Sequence, residues 1–258
     1  MNETALVTGS TSGIGRAFAE KLAREKYNLV LVSRDEEKLA SQSRGLAEKY
    51  GIQVSVIAAG LEKPGAATRV YSAVKGLGLS IQLLINNAGF NEYGSFLDTS
   101  MEKENEMVHL HAICTTEMMK LFIPDMVDNG YGRILNLGST GSIIACPNNA
   151  VYAATKAYIL HVSKAVNAEL KGTGVSVTTL CPGSTKTEFA AKAGMENTLL
   201  FKRFVMTPEY VSEAGYKALM KGKVSVVAGI YNKLLVISSK VTPAPLLDSL
   251  TKKMLAVA

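Results

Sequence analysis

Short apolar runs alternate with stretches of helical periodicity along this 258-residue chain, and nothing else in it limits the fold as sharply. The apolar runs lie at 5–7, 28–33, 53–58, 81–85, 133–137, 175–180 and 224–228. Helical patterning follows the first run to Lys26, fills 35–50, 65–77, 101–127 and 208–221, and runs through Tyr152 to Lys171. Strands joined through helices run parallel, because only antiparallel neighbours can be joined by a tight hairpin. The expected class is α/β: one doubly wound parallel sheet of about seven strands, with helices on both faces. Residues 1–258 read as a single domain.

Such a sheet gathers ligands beyond the carboxyl ends of its strands. Thr8, Ser33, Asn86, Ser139 and Pro182 all come at such ends. The first end opens into Thr8-Gly9-Ser10-Thr11-Ser12-Gly13-Ile14-Gly15. Glycines there let backbone approach a pyrophosphate, and the following helix offers free N–H groups at the positive end of its dipole. The second strand ends in Ser33-Arg34, where an acidic residue would hold the ribose 2′-hydroxyl of NAD. Ser33 has no charge to repel a 2′-phosphate, and Arg34, with Arg16 as a second cation, can bind one. NADP(H) is therefore expected over NAD(H). The fourth strand closes in Asn86-Asn87-Ala88-Gly89, whose small residues admit a ribose and whose amides can bond neighbouring strands.

Tyr152 and Lys156 stand four residues apart, on one face of a helix. A phenol with a pKa of about 10 is a poor proton donor or base at neutral pH. An ammonium beside it is expected to bring that value down. Ser139, after the fifth strand, can return to the phenol and hydrogen-bond a substrate carbonyl.

Composition narrows the class. Hydrophobic residues make up 47% and charged residues 19%, as in an ordered globular chain. The net charge of +6 is spread out, without basic runs and interleaved aromatics, which argues against nucleic acid. Cys114, Cys146 and Cys181 have neither metal nor disulfide spacing and suit a reducing compartment. His109, His111 and His161 lack ligand-like partners, so no metal is expected. The chain passes from Met1 through Asn2 and Glu3 into its first apolar run, and no run approaches the roughly 20 residues that span a bilayer. A cytoplasmic protein without a signal peptide is expected.

Residues 187–206 carry Phe189, Met195, Leu199, Leu200, Phe201 and Phe204. They read either as a lid over an apolar substrate or as a helical hairpin packed on the surface. Residues 231–258 read as two helices split by Pro243 and Pro245, with Lys233, Lys240, Lys252 and Lys253. Packing on their own domain is the simplest role, with a subunit contact or a membrane-surface helix as alternatives.

Over residues 3–228 the chain resembles the short-chain dehydrogenase/reductase family. The resemblance rests on Thr8-Gly9-x-x-x-Gly13-Ile14-Gly15, Asn86-Asn87-Ala88-Gly89, Ser139, Tyr152-x-x-x-Lys156 and Pro182-Gly183 with Thr187. It implies a Rossmann-like domain, a homodimer or homotetramer, and a nicotinamide cofactor. Cofactor contacts are implied for Thr8, Gly9, Ser10, Ser12, Gly13, Ile14, Gly15, Ser33, Arg34, Leu61, Asn87, Ala88, Gly89, Tyr152, Lys156, Pro182, Gly183, Thr185 and Thr187. It implies Tyr152 as acid/base, Lys156 as ribose ligand and pKa modifier, and Ser139 as partner of the substrate oxygen. Two positions depart from the family pattern. Gly60 replaces an adenine-bonding Asp, leaving backbone groups to hold the ring. His111 replaces an Asn that holds a helix irregularity and a water leading to the lysine. Such a histidine is expected either to join the catalytic set and add an ionisation on the acidic side of the pH–rate profile, or merely to fill helix space. The function expected is NADP(H)-dependent interconversion of a carbonyl and a secondary alcohol on a small, apolar molecule. The rival from another class is a non-catalytic NADP(H)-binding sensor or scaffold.

Overall fold

The computed structural model describes residues 3–202 and 205–256. Seven parallel strands form one sheet in the order β3-β2-β1-β4-β5-β6-β7. They are β1 (Thr4–Thr8), β2 (Asn28–Ser33), β3 (Val54–Ala58), β4 (Leu83–Asn86), β5 (Gly132–Leu137), β6 (Val175–Cys181) and β7 (Ser225–Val227). Strand alternation divides the core in two. Leu6, Val30, Val32, Leu84, Ile134 and Val177 face one helical layer, while Ala5, Val7, Leu29, Leu31, Leu83, Ile85, Leu135 and Leu180 face the other.

The second layer is built from α1 (Gly13–Arg24), α2 (Glu36–Tyr50) and α9 (Pro208–Met220), through Phe18, Leu22, Leu39, Val211 and Leu219. The first comes from α3 (Ala66–Gly76), α4 (Met101–Val108), α5 (Thr115–Asp128) and α6 (Ala150–Glu169), with Val70, Val74, Met118 and Phe122 at its centre. Fully burying one such Leu or Phe is worth about 1.5–3 kcal/mol, so both faces of every central strand are anchored.

Strand order reverses between β1 and β4, and a crevice opens there at the carboxyl ends. The helix expected over 101–127 is not uniform. Between α4 and α5 the chain widens into a π turn at His109–Cys114. Two short helices, α7 (Glu188–Lys192) and α8 (Leu199–Lys202), occupy the segment after β6, and Phe204 lies outside the described residues. The tail forms α10 (Ile230–Ser239) and α11 (Ala244–Leu255), broken at Pro243 as expected. No helix of the described residues is long and apolar enough to cross a membrane.

Candidate active site

The glycine turn is bolted to the switch point by Thr8. Its Oγ1 accepts from the Asn87 N–H at 2.9 Å and the Ala88 N–H at 3.0 Å, and donates to the Ile85 carbonyl at 3.3 Å. Asn87 Nδ2 donates to the carbonyls of Thr8 and Gly9, at 2.9 and 3.3 Å. Gly9 and Gly13 sit at φ of +63° and +51°, which side chains rarely adopt. At Gly15 the constraint is space, because a Cβ would lie 2.1 Å from the Gly9 carbonyl oxygen. Ser12 stands at the N-cap of α1 without a side-chain cap bond, and Ser10 Oγ is buried without a partner among the described residues. The turn thus offers backbone donors at a helix N-terminus and an orphaned hydroxyl, which fits a dinucleotide pyrophosphate.

At the end of β2, Ser33 Oγ is 2.9 Å from Thr11 Oγ1, while Arg34 and Arg16 are exposed. The nearest carboxylate is engaged elsewhere. Asp35 caps α2 by accepting from the Lys38 N–H at 3.0 Å and pairs with Lys38 Nζ at 3.1 Å. Beyond β3 the Leu61 side chain is in the core, leaving only its backbone for a ligand. Gly60 is open on one side to the Glu62 carboxylate, 2.9 Å from where a Cβ would stand.

Ser139, Tyr152 and Lys156 converge where β5 meets α6. Gly138 N–H bonds the Leu180 carbonyl at 2.7 Å and Thr140 N–H bonds the Pro182 carbonyl at 2.9 Å, pinning this corner to β6. Ser139 caps a single 3₁₀ turn, Thr140–Ser142, which the sequence reading did not foresee. Its Oγ accepts from the Gly141 N–H at 3.1 Å, and the serine acts on the Tyr152 phenol by favouring its ionised form. Lys156 is buried and donates from Nζ to the Leu137 carbonyl at 2.9 Å, 5.6 Å from the Tyr152 ring centre.

Electrostatics correct one expectation. Burial pushes the Tyr152 phenol up to about 12, and Ser139 opposes this only in part. Burial brings the Lys156 ammonium down to about 7. Without bound ligand, burial dominates at both groups, and the phenol lies above its ordinary value instead of below it.

The segment after β6 packs over this corner. Ser184 and Lys186 share backbone bonds with Met206: the Met206 N–H donates to the Ser184 carbonyl at 2.9 Å, and the Lys186 N–H donates to the Met206 carbonyl at 2.8 Å. Thr187 caps α7 and packs on the glycine turn, its Cγ2 being 2.9 Å from where a Gly13 Cβ would stand. Phe189 on α7 brings its ring centre to 5.8 Å from that of Tyr152. Ala190, Met195, Leu200 and Phe201 join Tyr93, Cys146 and Leu255 in a separate apolar cluster.

The model of the short chain dehydrogenase family matches residues 3–198. The chain belongs to the short-chain dehydrogenases. It is 32% identical over 234 residues to a 7β-hydroxysteroid dehydrogenase of Collinsella aerofaciens, covering 90% of this chain and 88% of the relative. A human very-long-chain 3-oxoacyl-CoA reductase is 33% identical over 196 residues, covering 74% of this chain and 62% of that protein. Among solved structures, one of 7β-hydroxysteroid dehydrogenase superimposes with a TM-score of 0.85 at 30% identity over 96% of each chain. A short-chain dehydrogenase from Sphingobium yanoikuyae in complex with NADPH does so with 0.83 at 28% identity over 93% of each.

In this dehydrogenase His111 occupies the π turn, almost wholly buried. Thr155 Oγ1 donates its one proton to the Tyr152 carbonyl at 2.7 Å, so it accepts from His111 Nδ1–H at 2.9 Å. Nε2 is then a bare acceptor, buried without a partner among the described residues, 2.7 Å from where a Gly89 Cβ would stand. The irregularity in the helix is therefore present with a histidine in it, and His111 acts on the Tyr152 backbone through Thr155. Burial, assisted by the Lys156 charge, holds His111 well below its usual 6.5. The ionisation expected on the acidic limb moves out of the working range with it.

This gives a stability prediction with a definite sign. A histidine depressed in the folded state is neutral in both states above 6.5, and on acidification the unfolded chain takes up its proton first. Stability is retained above about 6.5 and lost as pH falls towards the folded value. His111→Asn is expected to flatten this acid loss between pH 6.5 and 5, read from urea midpoints, while neutral pH–rate profiles superimpose. Equal acid sensitivity of the two proteins would contradict the assignment.

Sequence reasoning missed several supports of the site. Asn136 Oδ1 accepts from Asn86 Nδ2 at 2.9 Å, and its Nδ2 donates to Ser163 Oγ at 2.8 Å, tying β4, β5 and α6 together in the core. Asn232 on α10 lies under Gly183, its Oδ1 2.4 Å from where a Cβ would stand, and donates to the Ala228 carbonyl at 2.8 Å. A lone Asn in the apolar run of α10 was the available signal. The Tyr93 hydroxyl donates to the Leu255 carbonyl, joining the loop after β4 to the last helix; no pattern in the sequence announces this bond.

Proposed function

We propose that this dehydrogenase is a cytoplasmic NADP(H)-dependent enzyme that interconverts a carbonyl and a secondary alcohol on an apolar small molecule. The observation that carries the reading is the desolvated Tyr152 phenol, influenced by Ser139 and packed against Phe189 beside the glycine turn. The glycine turn would hold the pyrophosphate, Asn87, Ala88 and Lys156 the nicotinamide ribose, and Ser33, Arg34 and Arg16 the 2′-phosphate. NADP(H), when bound, supplies or accepts the hydride. Ser139 orients the substrate oxygen, and Tyr152 donates its proton to that oxygen during reduction. A phenol held at about 12 keeps its proton at neutral pH, so the ligand-free site stands ready as an acid. The apolar lid cluster and the relatives' steroid and long-chain acyl substrates support an apolar substrate. A homodimer or homotetramer is part of this reading, with Ile113 and Tyr158 exposed on the π turn and α6 to serve a contact.

The test is NADPH oxidation with a panel of ketones that includes hydroxysteroid and 3-oxoacyl types. Turnover of at least one is expected. NADPH binding without turnover of any would leave a nucleotide sensor instead.

Cofactor choice is tested separately. NADPH should bind more tightly than NADH in direct titration. Ser33→Asp should reverse the order, because the new carboxylate repels the 2′-phosphate and accepts from a 2′-hydroxyl. A wild type that prefers NADH would remove the assigned role of Ser33 and Arg34.

A further inference from the structure

The last two helices leave an apolar stripe in the open. α10 packs on the domain through Asn232 and Val236, both buried. Its other side carries Ile230, Leu234, Ile237 and, in the turn that follows, Val241, exposed by 71, 59, 62 and 83%. Their spacing lines them up along one helical face, over about 16 Å. On α11, Leu246 and Leu250 stand one turn apart, again exposed. Single exposed apolar residues are ordinary, but four along one helical face, with two more on the next helix, are an accumulation that water alone does not explain.

Charge says what covers it. Residues 230–255 carry four lysines, Lys233, Lys240, Lys252 and Lys253, against one carboxylate, Asp248. All four lysines are exposed, and none forms an ion pair among the described residues. Lys233 lies one turn before Ile237 and Lys240 one turn after it, so both flank the stripe. α10 has no acidic residue. An apolar stripe edged with cations matches a surface that is apolar inside and anionic at its rim, as an acidic lipid bilayer is. A second copy of this chain fits less well. Pairing two such faces about a two-fold axis would set lysines near lysines, with no α10 carboxylate to meet them.

The hairpin also adjoins the mouth of the crevice. Leu255 of α11 is buried against Ala190 and Met195 of the lid segment, and its carbonyl accepts from the Tyr93 hydroxyl. We propose that α10 and α11 lie on the surface of an anionic membrane. Ile230, Leu234, Ile237 and Val241 enter the boundary between headgroups and acyl chains, and the lysines meet lipid phosphates. This docking is independent of the catalytic reading.

The experiment is co-sedimentation of the full chain with vesicles of phosphatidylcholine, with and without phosphatidylglycerol. The wild type is expected to pellet with the anionic vesicles, less with the neutral ones, and to be released by salt. Leu234→Glu with Ile237→Glu should lower the partition by roughly tenfold or more, since both side chains leave the apolar phase. Unchanged thermal unfolding and NADPH titration would show that this variant is folded. Lys233→Gln with Lys240→Gln should remove only the preference for anionic lipid. A wild type that stays in the supernatant, or a glutamate variant that binds as well as the wild type, overturns the proposal. Failure to bind vesicles, together with an oligomer that only the glutamate variant dissociates in sedimentation velocity, would assign the face to a second copy.

Discussion

Tyr152→Phe is expected to lower turnover by roughly 10²–10⁴-fold, the range of a lost general acid or base, while leaving NADPH affinity within about twofold. The substitution removes one oxygen and little else. The ring packs edge-on against His111 and tilted against Phe189, each at 5.8 Å between centres, and a phenyl ring keeps both contacts. The backbone carbonyl of residue 152 still accepts from Thr155, so the first turn of α6 is held as before. What is lost is the hydroxyl that carries a proton at neutral pH. Ser139→Ala should cost less, because it leaves the acid in place and removes only its guide. Single-turnover measurements on any accepted ketone decide the matter. Equal rates for wild type and Tyr152→Phe would retire the assignment of the acid.

Much of this was legible in the sequence, for identifiable reasons. Continuous apolar runs and helical spacing are local, so all seven strands and the glycine turn could be read directly. Residues that act through backbone geometry were legible too, since Gly9, Gly13 and Gly15 have no substitutes at those angles and distances. What escaped depends on contacts far apart in the chain. Asn136 gives no sign of Ser163, 27 positions away, nor does Tyr93 of Leu255, 162 positions away. The balance of charge at Tyr152 and Lys156 escaped for another reason. Spacing places the two groups together, but only packing fixes how far burial outweighs their attraction. The tail shows the same limit. Its two helices were foreseeable from Pro243 and Pro245, but which of their faces is left uncovered was not.

Burial of Lys156 leads to the second large effect, a rise in stability of the ligand-free protein with pH. The lysine titrates near 10.5 when unfolded and at about 7 when folded. A lowered folded value means that between the two the unfolded chain binds the extra proton, so stability grows as pH rises through that window. Each full unit contributes a little over 1 kcal/mol, or about 2 kcal/mol between pH 7 and 9. Above about 9 the raised thiols of Cys114, Cys146 and Cys181 act in the opposite sense, because they keep protons that the unfolded chain releases. Lys156→Met separates these contributions: it removes the lysine's titration and leaves the thiols. The variant also strands the Leu137 carbonyl that Nζ satisfies, so its absolute stability is a poor guide. The quantity to compare is the slope of urea-unfolding stability against pH from 7 to 9, steep in the wild type and flatter by about 2 kcal/mol over the window in Lys156→Met. Saturating NADP⁺ should reduce the difference, because negative phosphates in the crevice favour the ammonium and return its titration towards the unfolded value. Parallel slopes without ligand would mean that Lys156 keeps its charge at neutral pH despite its burial. The low-lying lysine, and with it the account of why Tyr152 is not activated before ligand binds, would then be wrong.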